Sequence, residues 1–246
     1  MKKLIALFLL SFFLFSCGDD EKKEFNTIYD FTFNWDGTDI TYDDFSTIKY
    51  TNKYGTKLSI TKMRFLISNI TFHGSDGDSI KIKGYNFVDV ASNTGLVYTP
   101  ETKIPEGKYD ITFTFGFDTI DNKKKYPDLN SVNWNWPEAL GGGYHFMQYE
   151  GKFIDDSDKE QPYALHIGTA RKSEGVFEPN HFRVSLGSVN LDDDKRIEIK
   201  MNIAEWFKNP YTWNLNEYST PLMPNYDAQI LMHNNGKTVF SLGSVE

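Results

Sequence analysis

Apolar and polar residues alternate with a period of two over most of this chain. In the clearest run, Tyr109, Ile111, Phe113, Phe115 and Phe117 fall on one side and Asp110, Thr112, Thr114 and Gly116 on the other. Successive side chains of a strand point to opposite faces, so the run predicts a half-buried strand. Similar runs predict strands at Ile28 to Trp35, Lys57 to Ile60, Met63 to Phe72 and Ile80 to Val90, the last with a bulge at Gly84. Phe177 to Val189 and Ile197 to Asn202 predict a hairpin about the turn Asp192-Asp-Asp-Lys195, and Val239 to Val245 a closing strand. Helix is confined to two short segments. Ile203 to Phe207 is capped by Asn202 and stopped before Pro210, and Tyr226 to His233 precedes Asn234-Asn-Gly236. Many short strands between turn residues predict an all-β fold: an antiparallel β-sandwich, one domain over 26–246.

The middle of the chain carries Trp134-Asn-Trp136, the run Gly141 to Gly143, and Tyr144-His-Phe-Met-Gln-Tyr149. Triple glycine gives the backbone conformations closed to other residues, so a loop should drop here into a core strand. Its partner is Gln161 to Gly168, across the solvated turn 155–160. In the simplest register His166 faces Tyr149 and shares a face with Met147 and His145. Met147 then lies at about 7–8 Å as a diagonal neighbour. His145 lies four residues further along, on the order of 13 Å away.

The first residues predict processing rather than fold. Lys2 and Lys3 precede an apolar run, Leu4 to Phe15, and then Leu14-Phe-Ser-Cys17-Gly. This order predicts a lipoprotein signal peptide over 1–17, cleaved before Cys17, with a lipid on that cysteine. An ordinary signal peptide is the alternative; the apolar run is short for a membrane span. Residues 18–25 read as a flexible acidic tether. The expectation is an outer-membrane lipoprotein, periplasmic or surface-exposed, whose partner is the membrane reached through Cys17. Cys17 is the one cysteine in the sequence, which leaves no disulfide framework. A formal net charge of -8 with no basic run argues against nucleic acid as a partner.

Catalytic signatures are missing: no G-x-S-x-G, no H-E-x-x-H and no phosphate-binding loop. Carboxylates cluster in turns, with Asp89, Asp110 and Asp118 the exceptions at strand positions. A binding protein rather than an enzyme is therefore expected. Converging imidazoles suit copper or zinc and a thioether the softer ion, which makes His166, Met147 and His145 the candidate metal ligands; the alternative is that each histidine is a hydrogen-bonded residue of the sheet.

Several motifs occur in order along the chain. They are Phe31-Thr-Phe-Asn-Trp-Asp-Gly37, Ile60 to Phe72, Tyr85-Asn-Phe-Val-Asp89, Gly107 to Asp118, Trp134-Asn-Trp136, Gly143 to Gly151, Leu165-His-Ile-Gly168 and Met232 to Phe240. Together they resemble the MbnP-like family, the methanobactin-associated copper-binding domain. The resemblance implies a periplasmic or surface β-sandwich with copper as cofactor. It also implies a tryptophan oxidised to kynurenine, here Trp134 or Trp136, and a diheme peroxidase-like partner that oxidises it. His166 falls in the family's H-I-G. Two family histidine positions hold Phe33 and Asn86 instead, and no Trp-x-His pair occurs. Two other readings stand beside copper. One is a surface interaction module that has lost the metal site and exposes aromatic loops around Trp134 and Trp136. The other is a glycan-binding or glycan-cleaving lipoprotein, suggested by 16% aromatic residues together with acids, although no carboxylate pair stands out.

Radiolabelled palmitate is expected to enter the full-length chain in cells and not its Cys17→Ala variant; equal labelling of the two would exclude the anchor.

Overall fold

The alternating runs fold into two sheets that close over one aromatic core. The structure is a computed structural model that describes residues 22–246, so the signal peptide, Cys17 and most of the tether lie outside the described residues. The principal strands are β1 (Thr27–Trp35), β2 (Lys62–Gly74), β3 (Tyr85–Asp89), β4 (Gly107–Phe115), β5 (Met147–Ile154), β6 (Glu160–Ile167), β7 (Phe182–Leu191), β8 (Lys195–Asn202) and β9 (Phe240–Val245). The larger sheet runs β7–β4–β2–β5–β6, with β3 and the short segments Ser79–Lys81, Lys57–Leu58 and Tyr50–Thr51 attached. The smaller runs β9–β8–β1, with Thr38–Ile40 and Val97–Tyr98 attached to β1. The protein is thus all-β and sandwich-like, as the alternation predicts.

Strand β2 is the spine of the larger sheet. Its first residues pair with β5, from Lys62↔Glu150 to Phe65↔Met147, and its last with β4, from Ile67↔Phe115 to Gly74↔Tyr109. Arg64 and Phe65 also pair with Asp89 and Val88 of β3, which therefore occupies the opposite edge. The handover between β5 and β4 falls at Leu66, whose N–H donates to Phe146 and whose carbonyl accepts from Gly116. Gly116 has φ +82° there, and a Cβ on it would lie 2.3 Å from the Phe146 ring. Only glycine fits this joint.

The inner faces meet around Phe65. Its ring lies 5.9 Å from Phe31 and 6.2 Å from Phe33 of β1, 6.1 Å from Phe115 of β4 and 6.0 Å from Phe240 of β9. Edge-to-face and offset aromatic contacts of this kind add to the burial of apolar area. The five apolar residues of the 109–117 run are all buried, as their alternation requires.

Three local expectations change. β7 and β8 do not form a hairpin. The turn after Leu191 carries the chain from one sheet to the other, and β8 pairs in parallel with β1, from Lys195↔Thr27 to Asn202↔Asn34. Both strands carry apolar inner faces, Val184 to Leu191 and Ile197 to Met201, and both faces are buried because the strands sit on opposite sides of one core. The run 80–90 breaks at Gly84, φ +93°, into two strands that both pair with β2. The run 177–189 breaks at Pro179-Asn180. Both helical segments are present. Ile203–Phe207 forms a 3₁₀ turn whose start is capped by Asn202 accepting from the Ala204 N–H at 3.2 Å. The longer helix, Tyr226–Gly236, is capped by Asn225 accepting from the Ala228 N–H at 3.0 Å.

Phe65→Ala should cost roughly 3–5 kcal/mol, the usual range for a large aromatic truncated in a packed core. The melting temperature should then fall by about 2–4 °C for each of those kcal/mol. A calorimetric scan beside wild type measures this, and an unchanged midpoint would show that the two sheets do not meet there.

Candidate functional site

The candidate site lies on the outer face of the larger sheet, under a loop. The register places His166, Gln148, Arg64 and Asp89 side by side across β6, β5, β2 and β3. A polar row of this kind would normally face water. Here residues 127–143 fold back over it, starting with the short helix Pro127–Ser131 and ending at the triple glycine. Gly141, Gly142 and Gly143 have φ of +109°, +66° and +86°, values that a side chain disfavours. The turn they make brings Tyr144 back opposite Asn135. The Trp136 N–H then donates to the Gly143 carbonyl at 2.9 Å, and the His145 N–H to the Trp134 carbonyl at 2.8 Å.

This small ribbon sets His145 between two indoles. Its ring centre lies 5.5 Å from Trp134, 4.9 Å from Trp136 and 5.2 Å from His166. His145 is 5% exposed, Trp134 0% and Trp136 2%. Trp134 packs on Phe87 at 4.9 Å and receives the Arg64 guanidinium over its face at 5.2 Å. Trp136 lies against Gly168, where a Cβ would approach its ring to 2.3 Å. The glycine of His166-Ile-Gly168 thus makes room for the tryptophan.

The charges of the site are arranged around these rings. Glu150 accepts from His166 Nε2 at 2.8 Å and from Lys62 Nζ at 2.9 Å. The His166 hydrogen bond, assisted by Lys62, holds the Glu150 carboxyl down at about 2 against the cost of burial. Arg64 is paired with Asp89 at 3.3 Å and donates to the Val132 carbonyl at 2.9 Å. Burial pushes the His145 imidazole down to about 3, helped by the nearby His166 and Arg64. His145 is therefore neutral, and its Nδ1 is buried with no hydrogen-bond partner. An orphaned buried nitrogen beside a second imidazole is the feature that the sheet does not need for its own stability.

A family model described as MbnP matches residues 27–225, which run from the start of β1 to the residue before the long helix. The chain belongs to the MbnP family. Its fold is similar to that of the solved MbnP from Methylosinus trichosporium, with a TM-score of 0.51 and 12% identity, covering 75% of this chain and 78% of that one. No curated protein matches the chain.

Within this MbnP domain the residues singled out from sequence fall into two groups. His145, His166, Trp134 and Trp136 come together. Met147 does not join them. The turn holds five residues, 155–159, between Ile154 and Glu160, with Asp158 in the left-handed region, so the register is one residue away from the simplest one. His166 therefore pairs with Gln148, and Met147 pairs with Ile167 on the inner face, fully buried in the core. A one-residue slip exchanges the faces of a strand. A bend at Phe146 then brings His145 out to the same side as His166, at 5.2 Å between rings rather than on the order of 13 Å. The indoles are buried, so the expected exposed aromatic loop around Trp134 and Trp136 is absent. Glu150, Arg64 and Lys62 were not singled out; their signal was their spacing of two along β5 and β2. Among the described residues no three or more His, Cys, Asp or Glu side chains form a metal-holding group. His73 bonds to Ser79 and Thr112, and His233 to the Asn180 carbonyl. Asp89 serves Arg64, Asp110 bonds to Ser188, and Asp118 accepts from the Ile120 and Asp121 N–H groups.

Two of these groups make stability fall with acid, in windows that begin apart and overlap below 4.5. His145 keeps its proton off in the folded state down to about 3, whereas the unfolded chain takes one up near 6.5, so stability drops as pH falls from 6.5 towards 3. Glu150 contributes stability above its ordinary 4.5, lost as pH falls towards 2. Urea unfolding between pH 7 and 5 should show wild type losing up to about 1.4 kcal/mol per pH unit more than His145→Phe. Equal slopes would mean that His145 takes up its proton over the same pH range in the folded as in the unfolded chain.

Proposed function

We propose that this protein is a membrane-anchored lipoprotein that holds a single copper(I) ion at His145 and His166, for storage or delivery. The observation that supports this reading is the unpartnered, neutral His145 Nδ1 set 5.2 Å, ring to ring, from a second imidazole. Neutral imidazole is a good ligand for copper. Two such donors without a third suit an ion of low coordination number. Arg64 and Lys62 put positive charge at the rim, which weighs against a divalent ion, and the Glu150 carboxylate is already taken by His166 and Lys62. Bound copper(I) would be a soft, redox-active centre; the two imidazoles would hold it and the buried indoles would keep water away. Trp134 and Trp136 flank His145 and are the tryptophans open to oxidation in this reading. Both are buried, so a diheme peroxidase-like partner would have to draw electrons from them through the loop surface rather than by touching the rings. The lipid on Cys17 would tether the domain to the outer membrane, periplasmic or at the cell surface.

The chain from Gly18 onward contains every strand and helix described, and its calorimetric titration tests the site. Copper(I) should bind one per chain, more tightly than copper(II). His145→Ala and His166→Ala should each weaken it by about tenfold or more, a loss of roughly 1.4 kcal/mol, while Met147→Leu should leave it unchanged. No binding, or full binding by both histidine variants, would remove copper and leave the domain as an interaction module.

A further inference from the structure

A second feature lies on the other side of the same ribbon. Tyr144 and Phe146 point away from His145 and line an open cleft of about 720 Å³. That volume lies within the range of small-molecule sites. The cleft is bounded by the segment 119–125, the triple-glycine turn and the hairpin of Ala170–Ser173 with Val176–Glu178. Its wall is braced. Asn122 accepts from the Tyr144 N–H at 3.0 Å and donates to Thr169 at 3.3 Å.

Three observations define what the cleft would take. The first is charge. In a chain of net charge -8, this rim carries Lys123, Lys124 and Lys125 in succession. Lys124 is paired with Asp121, but Lys123 and Lys125 have no ion-pair partner among the described residues. Of the two acids that line the cleft, Glu178 is already engaged by Lys172 and the Tyr226 hydroxyl, which leaves Glu138 as the single opposing charge. The second is unused donors. The Gly143 N–H and the ring of the half-buried His181, which in its neutral form offers one N–H, lack hydrogen-bond partners among the described residues. The third is an apolar surface. Phe177 lines one wall and is 39% exposed. Exposed aromatic and aliphatic side chains rimmed by polar groups mark binding sites.

We propose that this cleft binds a small organic anion with a flat, apolar body, its charge against Lys123 and Lys125 and its face on Phe177. The site is separate from the histidine pair and does not depend on copper.

The probe is 8-anilino-1-naphthalenesulfonate, an aromatic anion, titrated by calorimetry into the folded chain from Gly18 onward without metal. One site per chain is expected. Reversing both free lysines, Lys123→Glu with Lys125→Glu, should weaken binding about tenfold or more, and Phe177→Ala about fivefold. The neutral analogue N-phenyl-1-naphthylamine should bind about tenfold more weakly than the anion. Reversal of Lys53 and Lys57, exposed lysines that do not line the cleft, should change nothing. All substituted positions are exposed, so unchanged melting temperatures should accompany these effects. The proposal is overturned if no saturable binding occurs, if several probes bind per chain, if the lysine reversal leaves affinity unchanged, or if the neutral analogue binds as well as the anion.

Discussion

The architecture depends on one strand having to satisfy two partners along a single edge. β2 carries thirteen residues, too many for either β5 or β4 alone, and its backbone groups cannot stay unpaired inside a sheet. The handover at Leu66 meets this demand by drawing the Phe146 carbonyl and the Gly116 N–H to adjacent positions. That joint fixes where the chain emerges from the loop above the sheet. The bend at Phe146 belongs to the joint, and the bend turns His145 outward. The paired imidazoles are therefore a by-product of how the larger sheet closes its hydrogen bonds, and the Gly116–Phe146 contact is as much a part of the site as the histidines themselves.

The covering loop has an energetic logic of its own. Arg64 and Asp89 form an ion pair on the sheet face, and covering such a pair with protein removes water from both charges. The Trp134 ring accepts the guanidinium over its face, Val132 supplies a carbonyl, and Gln148 a side-chain oxygen. Arg64 thus keeps partners after desolvation. The same cover denies His145 any water, which is why a group that titrates near neutrality elsewhere is fixed here in its neutral form.

Much of this was legible in the residues, for physical reasons that differ from place to place. The run Tyr109 to Phe117 could be read because alternation follows directly from strand geometry and leaves little freedom. The start of the first helical segment could be read because Asn202 uses a local side-chain bond that needs no tertiary contact. The pairing of β5 with β6 was also readable, but its register was not. Register there is decided by a five-residue turn with Asp158 in the left-handed region, and a shift of one residue costs little in local pattern while exchanging both faces. Met147 and Gln148 changed roles on that single step. The sheet change between β7 and β8 was hidden because a turn rich in aspartate looks the same whether it closes a hairpin or crosses a sandwich.

The parallel pairing of β1 with β8 has a consequence in time. Thr27 meets Lys195, and at the root of the pair Asn26 bonds to Asp194 across 168 residues. A chain delivered from its N-terminus brings β1 forward first and β8 near the end. In the interval β1 can find its short antiparallel neighbours, Thr38–Ile40 and Val97–Tyr98, but its other edge has nothing to pair with. Contacts between segments so far apart form slowly because the intervening chain must first be ordered. The long-lived open edge belongs to the first of the long strands, close to the end expected to carry the lipid. A nascent molecule tethered there would hold an unpaired, aromatic-rich strand close to its neighbours in the membrane plane, where association between chains competes with the arrival of residues 195–202.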